Sequence, residues 1–163
     1  MKRAFWLLPL LFLALVGCIT TTGYTPPAAS PLASAESDAQ AKQFAPPAGK
    51  GNVYVVGPNN EFVILGKPTA YAFIVDGKQV GGLVGGMFYC LSLAPGQHTM
   101  SASAEVSISH VTVNVEAGKN YFYQLNRENA PDNTVKVSLG WVPIEAVGKH
   151  MVQGSKLGQA AIE

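Results

Sequence analysis

From Asn52 onwards, apolar and polar positions alternate in short runs separated by glycine, proline, asparagine and aspartate. NVYVVGP reads as a strand ended by Gly57-Pro58-Asn59-Asn60, and FVILG as a short edge strand. In AYAFIVDGKQVGGL, Asp76-Gly77 stands between two apolar runs, the signature of a two-residue hairpin turn with positive φ. MFYCLSL follows and ends at Pro95-Gly96. Then comes HTMSASA, with Met100, Ala102 and Ala104 alternating inward. In VSISHVTVNVEAG the apolar phase slips: Val106 and Ile108 are even, whereas Val111, Val113 and Val115 are odd. A slip of phase implies an inserted residue, so a bulge is expected near Ser109-His110. NYFYQL and TVKVSLGW complete the series.

Seven or eight short strands at roughly 8–12-residue spacing, with turn chemistry between them, predict an all-β, antiparallel β-sandwich. The lack of intervening helices argues against a parallel α/β sheet. Short helices are expected on either side. SAESDAQAKQF, with Ser34 or Ser37 as cap, favours a helix before the first strand, with Phe44 as its large anchor. After the last strand, Pro143 can start a helix bearing Ile144, Val147 and Met151 on one face. Gly148 and Gly154 weaken it, and residues 153–163 are expected to fray.

The segment Ile19–Lys50 is rich in proline, threonine and alanine and has little to bury. Most of it therefore reads as a flexible tether, residues 18–41, leading into a domain over 42–152. As a flexible coil, the whole segment would hold the domain roughly 30 Å from its attachment point.

That attachment point follows from the first residues. Lys2 and Arg3 precede an apolar run from Ala4 to Val16, interrupted by Pro9. The run is shorter than the roughly 20 residues a bilayer-spanning helix needs and has the proportions of a secretory signal. Leu15-Val16-Gly17-Cys18 resembles the bacterial lipobox. This resemblance implies that residues 1–17 are a signal peptide of lipoprotein type and that Cys18 is the lipidated first residue. The membrane would then be a partner through Cys18. Ile19 in the following position, in place of Asp, favours the outer membrane, with the domain facing the periplasm.

Loss of Lys2 and Arg3 with the signal would leave nine basic against ten acidic side chains. No basic block remains to track phosphates, so nucleic acid is excluded as an expected partner. Cys90, in the apolar run MFYCLSL, is expected to be buried as a small hydrophobe.

The search for chemistry returns little. Gly66-Lys67, Gly77-Lys78, Gly118-Lys119 and Gly148-Lys149 lack the following Ser or Thr of a phosphate loop and read as turns. VGGLVGG lacks the spacing of a dinucleotide fingerprint and reads as a flexible or bulged connection. His98, His110 and His150 share no metal-type spacing with one another or with Cys90, so neither a metal nor a cofactor is expected. His98 follows the Pro95-Gly96 turn and can satisfy a backbone carbonyl there, while His110 is expected to face solvent. The acidic residues are scattered singly, and no nucleophile elbow or zinc-protease motif occurs.

Aromatic residues are more suggestive. In adjacent pairs such as Phe88-Tyr89 and Tyr121-Phe122, side chains point to opposite faces of a sheet. Two readings follow. Tyr89, Tyr121 and Tyr123, with Asp76 and Lys78 of the hairpin turn, form an exposed candidate binding surface. Alternatively, the aromatics simply cover both faces of a thin sandwich.

FIVDGKQVGGLVGGMFYCLSLAPGQHTM, followed by VEAGKNYFYQL, resembles the small bacterial lipoproteins of domain-of-unknown-function family twenty-eight forty-six. The shared skeleton is a V-D-G-K-x-V-G hairpin, an aromatic strand, a P-G-x-H turn and a later A-G-K-x-Y-[FY]. KQFAPPAGKGNVYVV resembles the family's lead-in segment, and the likeness spans about residues 42–150. In this family the first strand often ends in an arginine before proline; here Val56-Gly57-Pro58 stands in that place. The resemblance implies fold and location but no activity. The expected function is that of a lipid-anchored, non-enzymatic envelope module, structural or protein-binding. The alternative is a glycan or small-ligand module using the aromatic face. Whether the chain self-associates is left open.

Overall fold

The computed structural model describes residues 25–59, 63–64, 67–105, 107–132 and 134–161, with backbone alone at 63–64 and 67–68. The predicted signal peptide and Cys18 lie outside the described residues. The strands are β1 (Gly51–Val56), β2 (Val63–Ile64), β3 (Lys67–Pro68), β4 (Tyr71–Val75), β5 (Lys78–Leu83) and β6 (Met87–Leu93), then β7 (Gly96–Ala104), β8 (Ser107–Val115), β9 (Asn120–Asn129), β10 (Val135–Trp141) and β11 (Lys156–Leu157). Helix α1 (Ala35–Ala41) precedes β1, and α2 (Glu145–Gln153) lies between β10 and β11.

A four-stranded sheet in the order β5-β4-β7-β8 faces a five-stranded sheet in the order β10-β9-β1-β6-β11, while β2 and β3 pair separately. The fold is an all-β sandwich, as the alternation predicts. Most neighbours are antiparallel; β1 with β9 and β6 with β11 are parallel. Val53, Val55, Tyr89, Tyr123 and Leu125 of the larger sheet pack against Phe73, Val75, Met100, Ala102 and Val113 of the smaller one. On its outer face the larger sheet presents Tyr54, Val56, Phe88 and Phe122, which α1, Phe44 and α2 cover. Strand β1 is therefore buried on both faces, which explains the unbroken apolar run VYVV in place of alternation.

The DG hairpin forms as expected: Asp76 at φ 49° and Gly77 at φ 77° join Val75 to Lys78. The glycine run is bulged. Phe73 pairs with Gly81 and Ile74 with Gln79, leaving the fully buried Val80 between them. At Gly81 a side chain would collide with the Tyr89 hydroxyl and Ser30 Oγ.

Four expectations are corrected. Near Ser109-His110 there is no bulge; β7 and β8 stay in register from Gly96↔Val115 to Ala104↔Ser107. The phase slip is absorbed by exposing Ile108, while Ser107 and Ser109 turn toward β10. Ser107 Oγ accepts the Val137 amide at 3.2 Å, and Ser109 Oγ accepts the Leu139 amide at 3.0 Å. Polar inward positions thus satisfy edge amides of β10 that β9 cannot reach.

The tail does not fray: β11 pairs with β6, Gln159 N donates to Pro31 O, and Ala161 N donates to Val80 O. In α2 the buried positions are Gly148 and Val152, whereas Ile144 and Val147 are exposed. Gly148 lies against the Phe122 ring where a larger residue would not fit, so the glycine that lowers helix propensity is what lets α2 approach. Finally, the part of the expected tether that is described does not hang free: from Ser30 onwards it is bonded to the domain.

Candidate functional site

The N-terminal segment and the C-terminal strand meet at one side of the sandwich. Ser34 caps α1 through the Ser37 amide at 3.1 Å. One turn on, Asp38 Oδ2 receives Lys42 Nζ at 2.8 Å, and Asp38 Oδ1 accepts the Leu157 amide at 2.8 Å. Lys42 Nζ also donates to Ser155 O at 2.7 Å and lies 5.6 Å from the centre of the Phe88 ring. Burial alone would raise the Asp38 carboxyl, but its bonds from Lys42 and the Leu157 amide bring it net below its ordinary value.

Beyond α1, Phe44 takes φ 56°, unusual for a residue with a side chain. This conformation places its ring 5.4 Å from Tyr54 and 6.0 Å from Phe122, with Lys149 Nζ 5.2 Å from its centre. Asn120 Nδ2 holds the Phe44 carbonyl at 2.9 Å. Beneath it a polar chain runs from Ser92 Oγ through Asn52 to the Tyr54 hydroxyl, which donates to Ala41 O at 2.9 Å.

Upstream of α1, Ser30 N donates to Gly82 O, Ser30 Oγ receives the Tyr89 hydroxyl at 2.6 Å, and Ala33 N donates to Leu157 O. The segment therefore bridges the edges of β5 and β11, while β8 and β10 seal each other on the opposite side. Edge strands left bare invite pairing with other chains; here the contacts of the two ends of the chain do the covering.

Next to this junction is a cleft of about 650 Å³, lined by Val56, Gly57, Pro58, Asn59 and Gly86, by His150 and Met151 of α2, and by Gly154 and Ser155 just beyond it. The Gly57 amide donates to Met87 O at 2.8 Å, and a side chain at Gly57 would run into the Val84 carbonyl. Among the described residues the lining offers main-chain polar groups and the side chains of Asn59, His150 and Ser155.

At the β4–β5 turn, His98 Nδ1 lies 2.6 Å from Asp76 Oδ2, and His98 Nε2 lies 2.9 Å from Ala94 O. The carbonyl contact is the one expected from the Pro95-Gly96 turn. Both ring nitrogens face acceptors, so the ring serves best with a proton on each. The hydrogen bond to Asp76 raises the His98 pKa, and the same bond lowers that of Asp76. Asp76 Oδ1 accepts the Thr99 amide at 2.9 Å. A catalytic histidine needs one nitrogen turned to a nucleophile; here both are committed to structure. His110 is exposed, as expected, with Nδ1 2.7 Å from Ser101 Oγ.

The five residues of the candidate surface do not come together as one. Tyr89 is fully buried and stacked on Phe73 at 5.7 Å, and Tyr123 is 5% exposed. Tyr121 is half-buried, its hydroxyl accepting the Glu116 amide at 3.0 Å. Only Asp76 and Lys78 are exposed. Among the described residues these tyrosines form no open aromatic face, because they point between the sheets while their neighbours Phe88 and Phe122 lie under the helices. Cys90 is half-buried on the helix-covered face, where desolvation pushes its thiol up to about 11. It remains protonated near neutral pH and a poor nucleophile. Among the described residues, no three His, Cys, Asp or Glu side chains converge as a metal site, and no helix is long and apolar enough to cross a membrane.

Sequence reasoning missed the junction. Asp38 and Lys42 look like an ordinary helix pair, and nothing local says that their partners lie in a two-residue strand near the other end of the chain.

The sequence profile of the family described as "Protein of unknown function (DUF2846)" matches residues 47–140, more than half of the chain. The chain belongs to this family. The matched span runs from the lead-in to β1 through most of β10, so α2, β11 and the docked N-terminal segment lie outside it. A Haemophilus influenzae relative, named "Uncharacterized protein", is 31% identical over 93 residues, covering 56% of this chain and 53% of its own length. The chain thus spans about half the length of the curated relative it matches.

Proposed function

We propose that this chain is a lipid-anchored β-sandwich module of the bacterial cell envelope, held by Cys18 in the outer membrane with its domain in the periplasm. It acts as a non-enzymatic structural or protein-binding accessory. The observation that carries this reading is Leu15-Val16-Gly17-Cys18 after Lys2-Arg3 and the apolar run Ala4–Val16. The structure is compatible with it in two respects. The most reactive-looking groups, His98 and Cys90, are committed to packing and hydrogen bonding. From Ser30 onwards the chain on the anchor's side of the sandwich is bonded to both sheets, so that part of it belongs to the rigid domain.

The reading is tested by cross-linking in living cells, with a Cys18→Ala chain as control. Stoichiometric capture of an envelope protein, lost in the control, is the expected result. Recovery of the chain alone from both would contradict the protein-binding role.

A further inference from the structure

Residues 30–44 form an arm that contributes no strand to either sheet. No residue of its helix α1 is buried. Discrete contacts hold it instead: Ser30 on Gly82 and Tyr89, Asp38 on Leu157, Lys42 on Ser155, and the Phe44 ring against Tyr54 and Phe122. Residues 45–50 are its only covalent link to the sandwich.

That link is sharply bent. Phe44 and Gly49 take positive φ, 56° and 74°, and Lys50 N donates to Pro47 O at 3.0 Å to close a turn over Ala48-Gly49. Ala45 and Pro46 each precede a proline and favour extended backbone. A phenylalanine in the left-handed region is strained, so the arm returns to its own domain at a conformational cost. Short, strained hinges favour the exchange of an element between identical chains. We propose that two copies of this chain exchange arms, residues 30–44 of each docking on the sandwich of the other about a two-fold axis.

The seat fits this one sequence. It takes a carboxylate on the Leu157 amide, an ammonium that reaches the Ser155 carbonyl beside the Phe88 ring, and an aromatic ring between Tyr54 and Phe122. Asp38, Lys42 and Phe44 supply these at the spacing of one short helix and its exit. The first two contacts join residues 119 and 113 apart in the chain, so each forms equally well when the arm comes from another copy. Exchange therefore keeps every contact of the arm. Straightening the hinge relieves Phe44, and the opposing term is the entropy of bringing two chains together. A copy whose arm has left is bare at the free edges of β5 and β11 until a second arm fills them. Copies anchored by Cys18 to one membrane surface would meet at raised effective concentration, but the inference does not otherwise rest on the anchor.

The test uses the full chain in isolated cell envelopes. Two copies with different C-terminal epitope tags are expressed together, one carrying Ala35→Cys and the other Lys156→Cys. Ala35 and Lys156 are exposed and line one cavity of about 210 Å³ where α1 meets β11. Cys90 is half-buried with its thiol pushed up to about 11, so it reacts slowly with the short bismaleimide used as linker. The expected result is a doubly tagged dimer whose linked peptides join position 35 of one copy to position 156 of the other. Inserting Gly-Ser-Gly-Ser after Ala48 relaxes the hinge and should lower the share of that dimer several-fold. Singly tagged species alone, with internal linkage in a chain carrying both substitutions, would place each arm on its own domain and overturn the proposal. A dimer share untouched by the longer hinge would also overturn it, since copies that merely touch are indifferent to how the arm returns.

Discussion

Asp38 in α1 and Leu157 in β11 are 119 residues apart in the chain and joined by a 2.8 Å hydrogen bond. The same carboxylate holds Lys42, which in turn holds the Ser155 carbonyl. One side chain thus fastens the first helix to the last strand. Asp38→Ala should cost about 2 kcal/mol, since it removes charge-assisted bonds from a half-buried site, and Asp38→Asn should cost less. Urea unfolding gives the difference. Hydrogen exchange should show faster opening of the Leu157 amide in the alanine chain.

The His98–Asp76 pair sets a pH dependence whose sign follows from the two shifts. His98 is raised above its ordinary 6.5 in the folded state, so its contribution is full below that pH and is lost as pH rises through the folded value. Asp76 is lowered below 3.8, so its contribution is present above that pH and is lost as pH falls through the folded value. The Asp76 side chain is 46% exposed, which keeps the amplitude under about 1 kcal/mol. Melting temperatures of the wild-type and His98→Gln chains should differ most between those two values and converge toward alkaline pH. A constant difference would contradict the pairing.

Gly148 within α2 and Gly154 at its C-cap should behave oppositely. At Gly148 a methyl group meets the Phe122 ring, and overpacking of about 1–3 kcal/mol outweighs the ~1 kcal/mol that alanine returns in helix propensity. At Gly154 a methyl group makes only ordinary contacts at 3.7 Å, and φ is −78°. Gly148→Ala should therefore lower the unfolding midpoint, and Gly154→Ala should leave it unchanged or raise it by up to about 1 kcal/mol.

Ser109 is a second fastening. Its hydroxyl is the acceptor for the Leu139 amide on the edge of β10. Ser109→Ala should cost about 1–2 kcal/mol and selectively speed exchange at Leu139, because a half-buried amide is left without a partner. Equal exchange in both chains would show that the edge is satisfied some other way.

Much of this architecture is legible in the residues themselves. Asp76-Gly77 specifies its hairpin, and Met100, Ala102 and Ala104 point inward as their alternation requires. Ser34 caps the helix that ends near Phe44. What was not legible depends on partners distant in the chain. The slip of phase at Ser109 resembles a bulge because serine is polar, yet its hydroxyl faces inward to bond another strand. Pro31 and Leu157 sit in segments with the composition of linkers, and only their mutual proximity makes them a sealed edge. The tyrosines illustrate the same limit: alternation places Tyr89 and Tyr123 together on one face, but does not say which face is covered.

The most direct test of the account is the intact mass of the protein taken from cell envelopes. The account predicts a chain beginning at Cys18 and carrying a diacylglyceryl thioether with its acyl chains. A chain that retains residues 1–17, or one with a free thiol at Cys18, would contradict it.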